Sequence, residues 1–210
     1  MNLPLQLWEA GMHKNVLFSL LALFFIGINA APTEVIARSW EIDKEHTNFY
    51  FSVDHIYSKV QGRFKDYEGS IRFDPDNLDS SEISFKIKVK SIDTGLSKRD
   101  RHLRSKDFFD SSKYPLITFT SASISKTGEN AYTIGGTLTI KDVASEIELP
   151  LSYEGSSDHP FLEDTEVAGF NGRLSLDRLA YNVGTGHYYT TGAVGKTVDI
   201  LVTIEVLGKQ

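Results

Sequence analysis

The fold is indicated first by residues 82–90, which read EISFKIKVK. Apolar residues stand at positions 83, 85, 87 and 89, and serine or lysine stands between them. This period of two is typical of a β-strand with one face in the core and the other in water. Further strand-like stretches cover residues 49–54, 64–73, 117–120, 132–140, 147–153, 167–176 and 198–206. About eight strands joined by polar turns predict an all-β domain, either a sandwich or a barrel.

Two segments interrupt the strand pattern. Residues 97–110, SKRDRHLRSKDFFD, are polar and compatible with a helix, and Ser97 is a candidate N-cap. We therefore predict a short helix at residues 98–106. We also predict a shorter helical turn from His55 to Val60. Since no linker, low-complexity tract or internal repeat divides the rest of the chain, residues 31–210 are predicted to form a single domain.

The amino-terminal segment has the pattern of an export signal. Residues 16–30, VLFSLLALFFIGINA, follow His13 and Lys14 and end in small residues. We predict a cleavable signal peptide at residues 1–30, with Met12 as an alternative start. An uncleaved anchor is the other interpretation, but a transmembrane helix needs about 20 apolar residues. The expected location is the periplasm, without a stable membrane anchor.

Composition excludes several classes of function. The 210 residues include 22 Lys and Arg against 28 Asp and Glu, which gives a net charge of −6 and disfavours binding to nucleic acid. The chain has no cysteine, which excludes disulfides, thiolate metal sites and cysteine nucleophiles. Nucleotide-binding and hydrolase motifs are absent from the sequence, and no two histidines stand at ligand spacing. We therefore predict a protein that is not an enzyme and has no cofactor or metal, an enzyme being the weakest alternative.

Aromatic residues and a basic cluster remain as candidate functional features. Six phenylalanines fall on strand faces predicted to point inward, where they either fill the barrel or line a cavity for an apolar ligand. Phe73 is one of them, and the other five are the predicted cavity lining: Phe49, Phe51, Phe64, Phe85 and Phe119. The basic cluster comprises Lys98, Arg99, Arg101, Arg104 and Lys106. It is either a solvated helix face or a site for an anionic head group.

Short motifs in a fixed order carry a family resemblance. They are Trp40–Asp43 with His46, Phe51–His55 with Gly62–Phe64, Ser91–Thr94, Arg99–Leu103, Phe108–Asp110, Tyr114–Pro115 with Ile117–Phe119, Gly136–Ile140, and Gly172–Leu174 with Arg178. Together they resemble the YceI-like family of exported bacterial proteins over roughly residues 39–208. Each motif is weak by itself, but their order and spacing are specific.

The resemblance implies an extended, antiparallel, lipocalin-like β-barrel of about eight strands with a helix beside its open end. It also implies a ligand inside the barrel, namely a polyisoprenoid, a quinone-like molecule or a similar amphiphilic lipid. Burial of one isoprene unit of roughly 100 Å² contributes about 2–3 kcal/mol. The head group would then pair with one of two sets of residues: Arg99, Arg101, His102 and Arg104, or Lys59 and Arg63.

A different class of function stays open at this point. The alternative is a filled barrel with no bound lipid, which acts through its surface as an interaction or stress-protection module. A cavity of several hundred cubic ångströms would favour the lipid-binding hypothesis. A homodimer is compatible with either hypothesis.

Overall fold

A computed structural model describes residues 37–184 and 186–209 of the chain. The predicted signal peptide at residues 1–30 lies outside these residues. The described part contains two α-helices, α1 (Ser97–Arg104) and α2 (Gly186–Thr190). Neither has the length and apolar character needed to cross a bilayer. The strands are β1 (Ser39–Ile42), β2 (Asn48–His55), β3 (Ser58–Phe64), β4 (Tyr67–Arg72), β5 (Glu82–Lys88), β6 (Ile92–Asp93), β7 (Leu116–Lys126), β8 (Ala131–Ile140), β9 (Val143–Asp158), β10 (Thr165–Asp177) and β11 (Thr197–Lys209).

Eight of these strands close an antiparallel barrel. They follow one another in the order β1, β4, β5, β7, β8, β9, β10 and β11, and β11 pairs back with β1. The first part of β11 pairs with β2, which continues into β3 and β6 and extends the wall at one end. The prediction of about eight antiparallel strands in a closed barrel is therefore confirmed.

Alternation of side chains builds the barrel interior. In β8 the residues Tyr132, Ile134, Leu138 and Ile140 are buried, and their neighbours are more exposed. In β5, Ile83 and Phe85 are buried, and Lys86 and Lys88 are exposed. Burial of one face of each strand fixes its register, because a shift of one residue would expose the whole apolar set.

The end of the barrel near Phe73 is filled by aromatic side chains. The ring of Phe73 packs against those of Tyr132, Tyr153 and Phe170 with centroid distances of 5.3, 5.4 and 5.1 Å. Trp40 belongs to the same end, because its indole Nε1 donates a hydrogen bond of 3.2 Å to the carbonyl of Phe73. This packing closes one end of the barrel, which we call the closed end.

Two local predictions need correction. The helix predicted at residues 98–106 spans Ser97–Arg104, and the residue at its N-cap is Leu96, without a side-chain hydrogen bond. Ser97 is therefore not the cap. The helical turn predicted from His55 to Val60 is wrong, since His55 pairs with Ser58 at the tip of a β-hairpin. The alternation of β2 and β3 continues through this segment, and Ile56 adopts a positive φ of 52° that closes the turn.

Candidate functional site

The half of the barrel away from the closed end encloses a cavity of about 450 Å³. Apolar side chains from β2, β3, β5 and β7 to β11 form most of its wall. All five phenylalanines singled out from the sequence line it: Phe49, Phe51, Phe64, Phe85 and Phe119. The volume lies in the range of small-molecule sites, about 300–1,000 Å³.

Glycines on adjacent strands explain how large rings line this cavity without filling it. A Cβ atom placed on Gly69 of β4 would lie 2.5 Å from Cδ1 of Phe85, which is its partner on β5. A Cβ atom on Gly62 of β3 would lie 2.5 Å from Cζ of Phe51, its partner on β2. Both rings thus pack directly over a glycine backbone, in the manner of aromatic residues that cover strand glycines. The rings lie along the wall, and the space beyond them stays open.

Aromatic rings in the cavity wall pack against one another in two groups. Phe49 meets Phe85 edge-to-face at 4.9 Å, and Phe51 lies 5.8 Å from Phe64. Phe64 contacts Phe109, from the segment after α1, with perpendicular rings at 6.0 Å. Edge-to-face pairs of this kind add about 0.5–1.5 kcal/mol to the effect of burial. They fix the rings in place and give the cavity a defined shape.

We call the end of the barrel opposite the closed end the mouth. Helix α1 lies at the mouth. It is held there by Asp100, a buried carboxylate that accepts hydrogen bonds from the backbone N–H of Thr94 (2.9 Å) and from its hydroxyl (2.6 Å). Arg99 donates from Nε to the hydroxyl of Thr94 and from Nη2 to its carbonyl, each at 2.7 Å. Arg99 lines the cavity, and its Nη1 has no hydrogen-bond partner among the described residues. One guanidinium nitrogen is therefore available to a ligand.

His102 and Tyr188 form a second polar group at the mouth. The imidazole Nε2 of His102 lies 3.1 Å from Oδ2 of Asp107 and 3.3 Å from the hydroxyl of Tyr188. Phe108 packs against both, with its ring stacked on Tyr188 at 5.1 Å and perpendicular to His102 at 5.0 Å. The two side chains, which come from α1 and α2, both line the cavity. They place hydrogen-bonding groups where an apolar ligand would carry its polar end.

Arg178 is a buried cation in the cavity wall. It is 6 % exposed and donates to three backbone carbonyls, from Nε to Gly195 (2.7 Å), from Nη1 to Val183 (2.8 Å) and from Nη2 to Val194 (3.1 Å). It forms no ion pair with any carboxylate in the described part of the chain. Burial lowers the pKa of this guanidinium from its ordinary value. Arg178 thus ties down the segments that flank α2 and leaves a positive charge beside the cavity.

A family model for the YceI-like domain matches residues 40–206, which is most of the chain. The chain belongs to the YceI-like family. The protein YceI of Escherichia coli is 33% identical over 190 residues, covering 89% of this chain and 96% of the relative. The protein YceI of Salmonella arizonae is 32% identical over 198 residues, covering 92% of this chain and 97% of the relative. The resemblance inferred from the motifs is therefore confirmed.

Solved structures agree with this assignment. BcnA of Burkholderia cenocepacia matches with a TM-score of 0.70 and 28% identity over 79% of this chain and 99% of that chain. The YCEI protein of Campylobacter jejuni matches with a TM-score of 0.63 and 28% identity over 73% of this chain and 87% of that one. A polyisoprenoid binding domain from Saccharophagus degradans shares the fold, with a TM-score of 0.60 and 15% identity over 83% and 99% of the chains.

In this YceI-like barrel the residues suggested for a head group separate into two sets. Arg99 and His102 line the cavity. Arg101 and Arg104 do not line it; they border a shallow depression shared with Lys90, and Arg104 donates a 3.1 Å hydrogen bond to the carbonyl of that lysine. The structure brings Arg99 and His102 to the cavity and leaves the other two arginines of α1 outside it.

The second set of candidates, Lys59 and Arg63, is engaged outside the cavity. Lys59 forms a 2.7 Å ion pair with Asp54, and Arg63 donates a 3.1 Å hydrogen bond to Asn48.

Sequence reasoning did not select Arg178 and Tyr188 as site residues. Arg178 directly follows the alternating stretch that ends at Asp177. Its position at the end of a strand is the sequence feature that could have identified it as a residue at the opening of the barrel.

A cluster of potential metal ligands lies elsewhere in the YceI-like domain. Asp43, His46 and Glu205 offer ligand atoms that all lie within 4.8 Å of one another. In the structure Nδ1 of His46 is 2.7 Å from Oδ2 of Asp43, and this hydrogen bond raises the pKa of His46 above its ordinary value. At Asp43, burial raises the pKa of the carboxyl. The hydrogen bonds that this carboxyl makes with His46 and with the N–H of Glu45 outweigh burial, so the pKa is lowered overall. The cluster links the turn between β1 and β2 to β11.

Proposed function

We propose that this protein binds the apolar chain of an amphiphilic lipid inside its barrel. The ligand class is a polyisoprenoid, a quinone with a prenyl tail or a related amphiphile. The observation that carries the proposal is the cavity of about 450 Å³ with an almost wholly apolar wall. A barrel that acted only through its surface would not need such a space, because unfilled volume in a core is destabilising.

The depth of the cavity gives the ligand a direction. Its inner limit is the aromatic packing around Phe73 and Phe170 at the closed end. Each isoprene unit buried against the wall contributes about 2–3 kcal/mol, so a few units suffice for tight binding after the entropic cost of association. The tail therefore enters first and the head group stays at the mouth.

The polar groups at the mouth favour a head group that accepts hydrogen bonds. Arg99 offers an unused Nη1 and Arg178 contributes a positive charge without a carboxylate partner. Quinone carbonyls, carboxylates and phosphates all match such donors, and an anionic group would gain most where water is excluded. The domain from Saccharophagus degradans that is described as binding polyisoprenoids has the same fold, which supports a prenyl tail as the first class to test.

We further propose that the protein works in the periplasm as a carrier or store of its lipid. This part of the proposal depends on residues 1–30 acting as a cleavable signal peptide. A soluble domain that encloses the apolar chain would keep the lipid from aggregating in water between two membranes. The first experiment is mass spectrometry of the exported protein purified from periplasm, under native conditions and after organic extraction. A lipid of fixed mass at one copy per chain would support the proposal.

A pair of variants ties the bound lipid to the cavity. Ile147 lines the cavity on β9, and Glu148, the next residue, is exposed on the outer face. In Ile147→Trp the larger ring would occupy ligand space, so the amount of bound lipid should fall at least tenfold. The same substitution in Glu148→Trp should leave binding unchanged. An apo mass for the native protein that persists after incubation with prenyl lipids would refute lipid binding and favour a surface interaction module.

A further inference from the structure

Large apolar side chains surround the mouth and project into solvent. Ile56 and Tyr57 form the tip of the β2–β3 hairpin, Leu96 precedes α1 and Tyr189 lies on α2. Ile56 is 61% exposed, and Tyr57 is fully exposed. We call these four residues the mouth rim. Each lies next to a segment that lines the cavity, since the hairpin, α1 and α2 all contribute side chains to its wall.

Two features of the hairpin tip raise the free energy of the folded protein, namely its backbone conformation and the exposure of its apolar side chains to water. Ile56 has a φ of 52°, a left-handed conformation that a β-branched residue rarely adopts and that glycine or asparagine would adopt at lower cost. Isoleucine at this position places an exposed apolar side chain at the tip of the hairpin. Backbone strain combined with an exposed apolar group points to a contact made outside the chain.

The charge beside the mouth rim identifies the kind of surface that fits it. Residues 98–107 hold five basic and two acidic side chains, a net charge of +3 in a chain whose total is −6. Lys98 and Arg101 are exposed on α1. In the hairpin, Lys59 is already paired with Asp54 at 2.7 Å and with Asp199 at 3.7 Å, so the excess positive charge belongs to α1. Apolar residues next to exposed basic residues are the combination that binds the surface of an anionic bilayer.

We propose that the mouth rim docks on the surface of a bilayer that contains anionic phospholipid, with the hairpin tip and Leu96 entering the head-group region and α1 contacting lipid phosphates. This inference rests on the proposed function, because docking at the mouth would let a lipid pass between bilayer and cavity without crossing water. Each residue of the mouth rim adjoins a segment that lines the cavity, so the rim and the cavity opening lie at the same end of the barrel, as such a path requires. A second copy of the chain would have to place its own positive mouth against this one, which disfavours it as the occupant.

The test is flotation of the exported protein with vesicles of phosphatidylcholine alone or mixed with phosphatidylglycerol, both free of isoprenoids. The wild type should float with the phosphatidylglycerol vesicles, and its bound fraction should fall with added salt. The double variant Ile56→Ser, Tyr57→Ser should bind about tenfold less. The matched control is Phe161→Ser. Phe161 is 88% exposed in the β9–β10 loop, beyond the closed end, and its removal should change nothing.

Cavity binding is measured separately on the same proteins with a prenylated quinone in solution, by native mass spectrometry. The rim variant should keep full quinone binding, because neither substituted side chain lines the cavity. Failure of the wild type to float, or equal flotation of the rim variant and the wild type, would overturn the docking proposal even when quinone binding is normal. Loss of a dimer in the rim variant, with no vesicle binding by the wild type, would assign the rim to a second copy and overturn it as well. Absence of quinone binding alongside normal flotation would refute the proposed function and leave the docking result standing.

Discussion

The substitution Gly62→Ala tests directly whether the glycines keep the cavity open. The added Cβ would lie 2.5 Å from Cζ of Phe51 and 2.8 Å from Cγ2 of Thr94. Carbon atoms in contact normally stay about 3.5–4.0 Å apart. The Phe51 ring must therefore move by about 1 Å or more, and the free space next to it is the cavity that it lines.

The expected loss of affinity can be estimated from the contact area that the displaced ring takes from the ligand. A ring that swings inward blocks between half and all of the surface of one isoprene unit, about 50–100 Å². At about 25 cal/mol per Å² this weakens binding by about 1.3–2.5 kcal/mol, which is about eight- to seventyfold in the dissociation constant. The free energy of unfolding should fall by a comparable or smaller amount, because overpacking costs about 1–3 kcal/mol and part of that cost is offset. The reduced freedom of the unfolded chain returns about 0.4–1 kcal/mol.

The assay is titration with a prenylated quinone by native mass spectrometry, with urea unfolding of each variant measured in parallel. The matched control is Gly169→Ala in β10, where the added Cβ would meet Glu154 Cβ at an ordinary 3.5 Å. This control makes the same chemical change in a strand near the closed end and should leave the affinity unchanged. Wild-type affinity in a folded Gly62→Ala variant would show that Phe51 does not border the ligand, and the account of the cavity wall would be wrong.

Three further outcomes follow from the polar groups. Arg99→Gln should weaken binding of a short prenyl carboxylate about tenfold and binding of the matching prenyl alcohol much less. Isothermal titration calorimetry measures both affinities, and the control Arg101→Gln should change neither. Equal losses of affinity for the acid and the alcohol would show that Arg99 does not bind the head group. The pKa of His46 should lie above its unfolded value, so its contribution to stability is present below that value and is lost as pH rises through the folded pKa. NMR titration should show this pKa falling in Asp43→Asn, and an unchanged value would contradict the assigned pair. Arg178→Met should destabilise the fold by about 2–4 kcal/mol in urea unfolding, because three backbone carbonyls lose their donor, and a change below about 0.5 kcal/mol would show that water replaces it.

Alternation along the strands made the barrel predictable from the sequence. The stretch at residues 82–90 assigns Phe85 to the buried face, and neighbouring strands with the same period assign Phe49 and Phe119 to theirs. A closed barrel has one interior, so the inward faces of all its strands must converge. The alternation therefore predicts an inward phase for these phenylalanines, although a shift of one residue in a strand would reverse it and the sequence alone does not fix that shift.

Register between strands could not be obtained in the same way. The role of Gly62 depends on its pairing with Phe51, and that of Gly69 on its pairing with Phe85. A glycine in a strand predicts a bulge or a close approach by another group, but it does not say which group approaches. The sequence thus indicates a lined or a filled interior equally well, and the pairing decides between them.

The positions of the basic residues depended on the orientation of one helix. Successive residues of an α-helix are about 100° apart, so Arg99 and His102 share a face and Arg101 lies about 200° from Arg99. The composition of residues 97–104 shows a basic helix but not which face meets the barrel. The buried Asp100, held by Thr94, settles that orientation through a contact outside the helix.

Under the proposed function, a ligand enters at the mouth, and the side chains at the two ends of the barrel explain this choice. At the closed end, Phe73 and Phe170 fill the space, and opening it would forfeit edge-to-face contacts as well as buried area. At the mouth, Arg178 is desolvated without a carboxylate, and that cost is partly recovered when an acceptor of a ligand head group comes near. Arg178 is therefore the charged group in the cavity wall that would gain most from an acceptor on a ligand. An acceptor on the proposed ligand should therefore strengthen the hold of Arg178 on the segments that flank α2.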